Sequence, residues 1–204
     1  AVLVVDMQNG FVSKEGYANI HGADIASRQK IIAPIDEIVK AARAKGCKVI
    51  YSVHQHSADL REMGGPNSSR WYKSRAARDY REHPELREKL FARGTWGADI
   101  VKELKPQEED IVVEKARFSA FFETNLDTIL KTYDIRYLVF TGVTTNCCVE
   151  ATIRDADNRG HFAILVSDAT VPNGPEFLQE ASIFNIKNFF GWVTTAENVL
   201  KALQ

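Results

Sequence analysis

Residues 140–160 read FTGVTTNCCVEATIRDADNRG. The apolar run RYLVFTG (136–142) stops at a glycine, and NCCVEATIRDADNRG, closed by Gly160, has a helical pattern. A buried strand that hands over to a helix through a few polar residues is half of a β–α–β unit. Two adjacent cysteines, Cys147 and Cys148, fall on the first turn of that helix. Either both are small packing residues, or one is a nucleophile placed at a helix N-terminus.

The same alternation extends outward in both directions. Short β-branched runs recur at AVLVVD (1–6), CKVIYSV (47–53), DIVVE (110–114) and HFAILVS (161–167), with NFFGWV (188–193) as a sixth. Most are solidly apolar rather than alternating, as strands covered on both faces are. Between them lie helical stretches. PIDEIVKAARAKG has Pro34 at its first position and Gly46 at its end, and PEFLQEASIF (175–184) again opens with Pro. FETNLDTILKTYD (122–134) places Leu126, Ile129, Leu130 and Tyr133 on one stripe. The expected fold is α/β: a doubly wound, mostly parallel six-stranded sheet with helices on both faces.

The 204 residues, 45% of them hydrophobic, suit one domain spanning 1–204. Residues 54–96 break the alternation. That segment is long, polar and punctuated by Gly64-Gly65-Pro66, so a lid-like insertion is expected there. A net charge of −1 gives no electrostatic case for nucleic acid or an anionic membrane surface. No apolar run approaches the ~20 residues that span a bilayer. Three cysteines make no disulfide framework and suit a reducing compartment, so the expected location is the cytoplasm. Ala1 already lies in an apolar strand without an initiator Met, and a short leader or tag is expected to precede it.

In an open α/β sheet, ligands bind beyond the carboxyl ends of the strands, where the strand order reverses. Asp6 ends the first strand, Lys115 follows DIVVE, and Cys148 follows RYLVFTG. A thiol needs a cationic neighbour or a helix N-terminus to become thiolate at neutral pH, and Lys115 supplies a cation. Asp6 can take the thiol proton and later activate water. Each residue alone also has an ordinary reading, as a turn cap, a solvated charge or a packed thiol. Only their joint placement points to a cysteine hydrolase.

AVLVVDMQNGF, the lysine of VEKARFSAFF, and TGVTTNCCVEATIRDADNRG together resemble the isochorismatase-like cysteine hydrolases, with the family pattern falling on Gly142, Val143, Thr145, Cys148 and Val149. The resemblance implies an Asp6–Lys115–Cys148 triad and a cis peptide between Val143 and Thr144. It also implies an oxyanion hole from the backbone N–H groups of Thr144 and Cys148, with reaction through a thioester-type acyl-enzyme. Cys147, ~100° round an α-helix from Cys148, is then expected to be packing.

Within that family, GGP, LREKLFARGTW and GPEFLQEASIFNIKNFFGWV resemble the members that remove the terminal carbamoyl group of ureidoacrylate. Phe11, His54, His56 and Glu62 become the expected substrate-binding residues. The two histidines depart from that branch, which keeps triuret or biuret as alternative substrates and a catalytically idle binding module as the rival from another class. His54 and His56 also raise a metal reading, but Ser52 occupies the position where metal-binding relatives carry Asp. No metal and no other cofactor is expected. The partners expected are a small ureide or amide and further copies of the chain, as a dimer or tetramer, with the apolar FNIKNFFGWV at the interface.

Overall fold

The computed structural model describes residues 1–204. Six strands form one sheet: β1 (Val2–Val5), β2 (Val49–His54), β3 (Ile111–Lys115), β4 (Tyr137–Val143), β5 (Phe162–Val171) and β6 (Trp192–Thr194). All pairings are parallel and the spatial order is β3-β2-β1-β4-β5-β6. The chain therefore winds outward from β1 through β2 to β3, then returns to the other side of β1 and winds outward again. The reversal lies between β1 and β4.

Alternate residues of the strands divide the core into two layers. Val2, Val4, Val49 and Tyr51 pack with Ile35, Ile38 and Val39 of the helix Ile32–Ala44 and Val199 of the helix Ala196–Ala202. Leu3, Val5, Ile50 and Phe140 face the other way. They meet Leu126 and Leu130 of the helix Leu126–Thr132 and Ile153 and Ala156 of the helix Glu150–Asn158. Val2–Val5 are buried on both faces, which is why the first strand shows no polar alternation.

Several boundaries differ from the sequence reading. The sixth strand is only Trp192–Thr194, because Ile186–Phe190 close a wide π turn that ends the helix Phe177–Asn185. The helix expected over 122–134 is only Leu126–Thr132, and Tyr133 leaves its stripe to lie half-exposed under Lys48. Residues 54–96 fold into short helical turns with a small core of their own. Leu60, Met63, Ala77, Tyr80, Leu90 and Phe91 cluster there with Tyr17. Apolar residues scattered among charges are hard to recognise as a core from periodicity alone.

Candidate active site

At the sheet's reversal point β1 and β4 run side by side, with Val5 opposite Gly142. Gly142 has φ +103°, and a Cβ there would sit 2.1 Å from the Val5 carbonyl oxygen. No other residue fits without moving β1. The register of β4 against β5 also shifts between Phe140 and Gly142, so the end of β4 is bent away from a regular strand. The next peptide, Val143–Thr144, is cis. Then Thr145–Val149 form a π turn, in which the Thr144 carbonyl accepts from both Cys147 N–H (3.0 Å) and Val149 N–H (3.2 Å).

These local features place Cys148, 7% exposed, above the end of β1. Its carbonyl accepts from Thr152 Oγ1 at 2.6 Å, and Thr152 Oγ1 in turn accepts from Ala120 N–H at 3.0 Å, which ties the cysteine's helix to the segment after β3. Asp6 follows β1 with φ +51°, a left-handed conformation that a short polar side chain tolerates. Lys115 closes β3 and lies beside His54 of β2. Its Nζ donates to Asp6 Oδ2 at 2.7 Å and to the Arg117 carbonyl at 3.3 Å. Asp6 Oδ1 is buried and has no partner.

The electrostatics of the three groups are strongly linked. Burial pushes the Cys148 thiol up, the Asp6 charge adds to this, and Lys115 pulls against both. The resting cysteine is a thiol. Burial also raises the Asp6 carboxyl above the usual range, with Lys115 and Cys148 opposing. Burial alone would lower Lys115, but the Asp6 carboxylate, by its charge and its hydrogen bond, outweighs it and holds Lys115 above its ordinary value. A thiol beside a buried carboxylate is an arrangement in which a cysteine has a proton acceptor at hand.

A cavity of about 1070 Å³ opens over this cluster. Asp6, Phe11, His54, Thr144 and Cys148 line it, while Lys115 is fully buried behind Asp6. His54 is neutral, burial and then the Lys115 charge holding its pKa well down. Its ring packs against Phe11 and Phe91. Cys147, expected as packing, is instead half-buried on the cavity wall. The π turn rotates less per residue than an α-helix, so neighbouring side chains diverge less.

His56 and Glu62 are not brought to the cavity wall. His56 has no exposed surface; its Nδ1 faces the Ser57 carbonyl at 2.9 Å and its ring meets Tyr80 edge-on. Glu62 accepts from Ser57 N–H and Ser57 Oγ and pairs with Arg93 at 2.8 Å. Burial pulls upward on its carboxyl, but these bonds hold it down at about 2. Both residues bond within the loop after β2, and His56 Nε2 is buried without a hydrogen-bond partner. No group of three or more His, Cys, Asp and Glu side chains is spaced to hold a metal ion.

Gln8 was not evident from the sequence. Its side chain donates to the carbonyls of His54 (3.0 Å) and Ala98 (2.7 Å) and accepts from His54 N–H (2.7 Å). It pins the end of β2 to β1, and with it the His54 ring. A glutamine two residues beyond a strand carries no periodic signal, and its role shows only once β1 and β2 are adjacent.

The isochorismatase domain model matches residues 1–198. The chain belongs to the isochorismatase family. Among curated proteins, the ureidoacrylate amidohydrolase RutB of Serratia proteamaculans (strain 568) is 46% identical over 203 residues, covering 100% of this chain and 82% of that protein. Among solved structures, a cysteine hydrolase from Pseudomonas syringae pv. phaseolicola 1448A superposes with a TM-score of 0.81 at 30% identity, covering 100% of this chain and 91% of that one. N-carbamoylsarcosine amidase from Thermoplasma acidophilum superposes with a TM-score of 0.70 at 25% identity, over 96% of this chain and 95% of that one. The three-layer α/β fold expected for an isochorismatase-family hydrolase is the fold observed.

Proposed function

We propose that this protein is a cysteine-dependent amidohydrolase that removes the terminal carbamoyl group of a small ureide of the ureidoacrylate type. The carrying observation is the buried, unpartnered Asp6 Oδ1 beside the Cys148 thiol, with Lys115 bonded to the other carboxylate oxygen. The ureide class is supported by the names of the Serratia and Thermoplasma relatives, both of which act on a carbamoyl-bearing compound.

In this reading Asp6 takes the thiol proton as Cys148 Sγ attacks the carbamoyl carbon. The oxygen that gains charge is met by the backbone N–H groups of Thr144 and Cys148. Asp6 returns the proton to the leaving nitrogen, and the carbamoyl group stays on sulfur as a thioester-type adduct. Asp6 then draws a proton from water, which attacks the adduct and releases carbamate and the free thiol. Carbamate decomposes to ammonia and carbon dioxide. Lys115 keeps Asp6 oriented and offsets the negative charge that develops.

The whole chain acts as one domain in this reading, with residues 54–96 as a lid-like insertion over the cavity; Arg70, Lys73 and Arg75 from that insertion line it. Substrate binding falls to Phe11 and His54. The protein is a cytoplasmic enzyme on this account, and no helix is long and apolar enough to cross a membrane. It assembles as a homo-oligomer through the aromatic surface of Phe162, Phe184, Phe189 and Trp192, all more than 40% exposed.

An ammonia-release screen across ureidoacrylate, triuret, biuret, nicotinamide and N-carbamoyl amino acids tests the reading. Ureidoacrylate is expected to be turned over best, and Cys148→Ser to abolish turnover. Activity on nicotinamide alone, or on none of these compounds, would overturn it.

A further inference from the structure

Arg70 sits in the first turn of the short helix Ser69–Lys73, where the Ser68 hydroxyl accepts from its backbone N–H. The side chain reaches the same cavity as Cys148 and lies over the Phe118 ring, 4.4 Å from the centroid. Its Nε is buried without a hydrogen-bond partner, and no carboxylate pairs with the guanidinium. The other cavity arginines differ. Arg28 is committed to the Phe11 carbonyl and Asn173 Oδ1, and Arg75 is exposed.

A guanidinium stacked on an aromatic face keeps its N–H donors in plane and free, the arrangement that receives a carboxylate edge-on. Leaving such a cation half-buried and unpaired is costly, so an anionic ligand is the natural complement. Burial lowers its pKa while Cys148 raises it, so the two groups lie within electrostatic reach of one another.

We propose that Arg70 is a specificity-determining residue that binds a carboxylate at the end of the substrate remote from the scissile carbamoyl group. This rests on the ureide reading above and narrows it: ureido acids are selected over neutral ureides such as biuret and triuret. A neutral ligand in this position leaves the guanidinium desolvated without a counter-charge, and a site of that kind rejects near analogues strongly.

Two measurements on the wild type, Arg70→Met and Arg70→Lys test it. The first compares kcat/KM for ureidoacrylate and for its carboxamide, in which the carboxylate alone is replaced. Arg70→Met is expected to lose about 30-fold on the carboxylate substrate, mostly in KM, with the carboxamide within about threefold of wild type. Arg70→Lys is expected to recover part of the loss. Equal losses on both substrates, as a merely structural role gives, would overturn the assignment.

The second needs no substrate. Cys148 is alkylated with iodoacetate, an anion, and with iodoacetamide, its neutral counterpart, and the two rates are compared by peptide mapping. The iodoacetate-to-iodoacetamide ratio is expected to fall about tenfold in Arg70→Met, and a ratio within about twofold of wild type would overturn the proposal. If the wild type hydrolyses no ureide at all, the ureide reading fails while this ratio still decides whether Arg70 attracts a carboxylate.

Discussion

Lys115 Nζ donates to Asp6 Oδ2 at 2.7 Å, both groups are almost fully buried, and Asp6 Oδ1 is left without a partner. One oxygen orients the carboxylate and the other is free to take a proton. Asp6→Asn and Lys115→Met are each expected to lower turnover by about three orders of magnitude or more, and the double variant to be little worse than the worse single one. Multiplying losses in single-turnover assays would show that the two act independently. Each single variant also strands one member of a buried pair, with an expected loss of about 3–5 kcal/mol in urea unfolding.

The pH dependence of Cys148 follows from the same pair. Its thiol is raised by burial and by the Asp6 charge, so iodoacetamide labelling in the native protein is expected only at higher pH than for the denatured chain. Lys115→Met removes the neighbouring cation that lowers it most, and the labelling profile moves further to alkaline pH. Asp6→Asn removes an anion and an acceptor that both favour the thiol, and the profile moves toward neutrality. An unchanged profile in Lys115→Met, with activity retained, would remove the triad.

Within the cysteine pair, Cys148→Ser is expected to abolish turnover with the melting temperature little changed, since a hydroxyl is a far poorer nucleophile here. Cys147→Ser exchanges a half-buried thiol on the cavity wall for a hydroxyl, so a change in KM of about threefold and a stability change within ~0.5 kcal/mol are expected. Total loss of activity in a folded Cys147→Ser variant would reverse the assignment.

Gly142→Ala places a methyl group 2.1 Å from the Val5 carbonyl and forces alanine to φ +103°. A loss of about 3 kcal/mol or more is expected, read as soluble yield and thermal midpoint. Near-wild-type stability would mean that β1 and β4 can separate at the site.

Gln8→Leu removes the side-chain partner of the backbone N–H and carbonyl of His54 and leaves the Ala98 carbonyl only the long bond from Gln55 Nε2 at 3.4 Å. About 3 kcal/mol of destabilisation is expected, with a raised KM as the His54 ring loses its position. A variant equal to wild type in both would show that ordered water replaces the amide.

The α/β class and the order of elements could be read from the sequence because strands buried on both faces need unbroken apolar runs, such as Leu3–Val5 and Leu138–Phe140. Asp6, Lys115 and Cys148 could be singled out because each follows such a run, where parallel sheets gather their ligands. Gly142 was legible as a position but not as a requirement, since the Val5 carbonyl that excludes a side chain is 137 residues away.

Composition, periodicity and strand-end chemistry thus determined the architecture and singled out Asp6, Lys115 and Cys148 as candidates, because burial and backbone hydrogen bonding act on every strand in the same way. Tertiary structure decided the rest. That His56 and Glu62 bond within a loop, that Cys147 faces the cavity, that Gln8 clamps β2 to β1 and that Arg70 stands unpaired over Phe118 depend on contacts between segments far apart in the chain. A polar side chain's role is set by the partner it meets, and the partner is fixed only when the chain has folded.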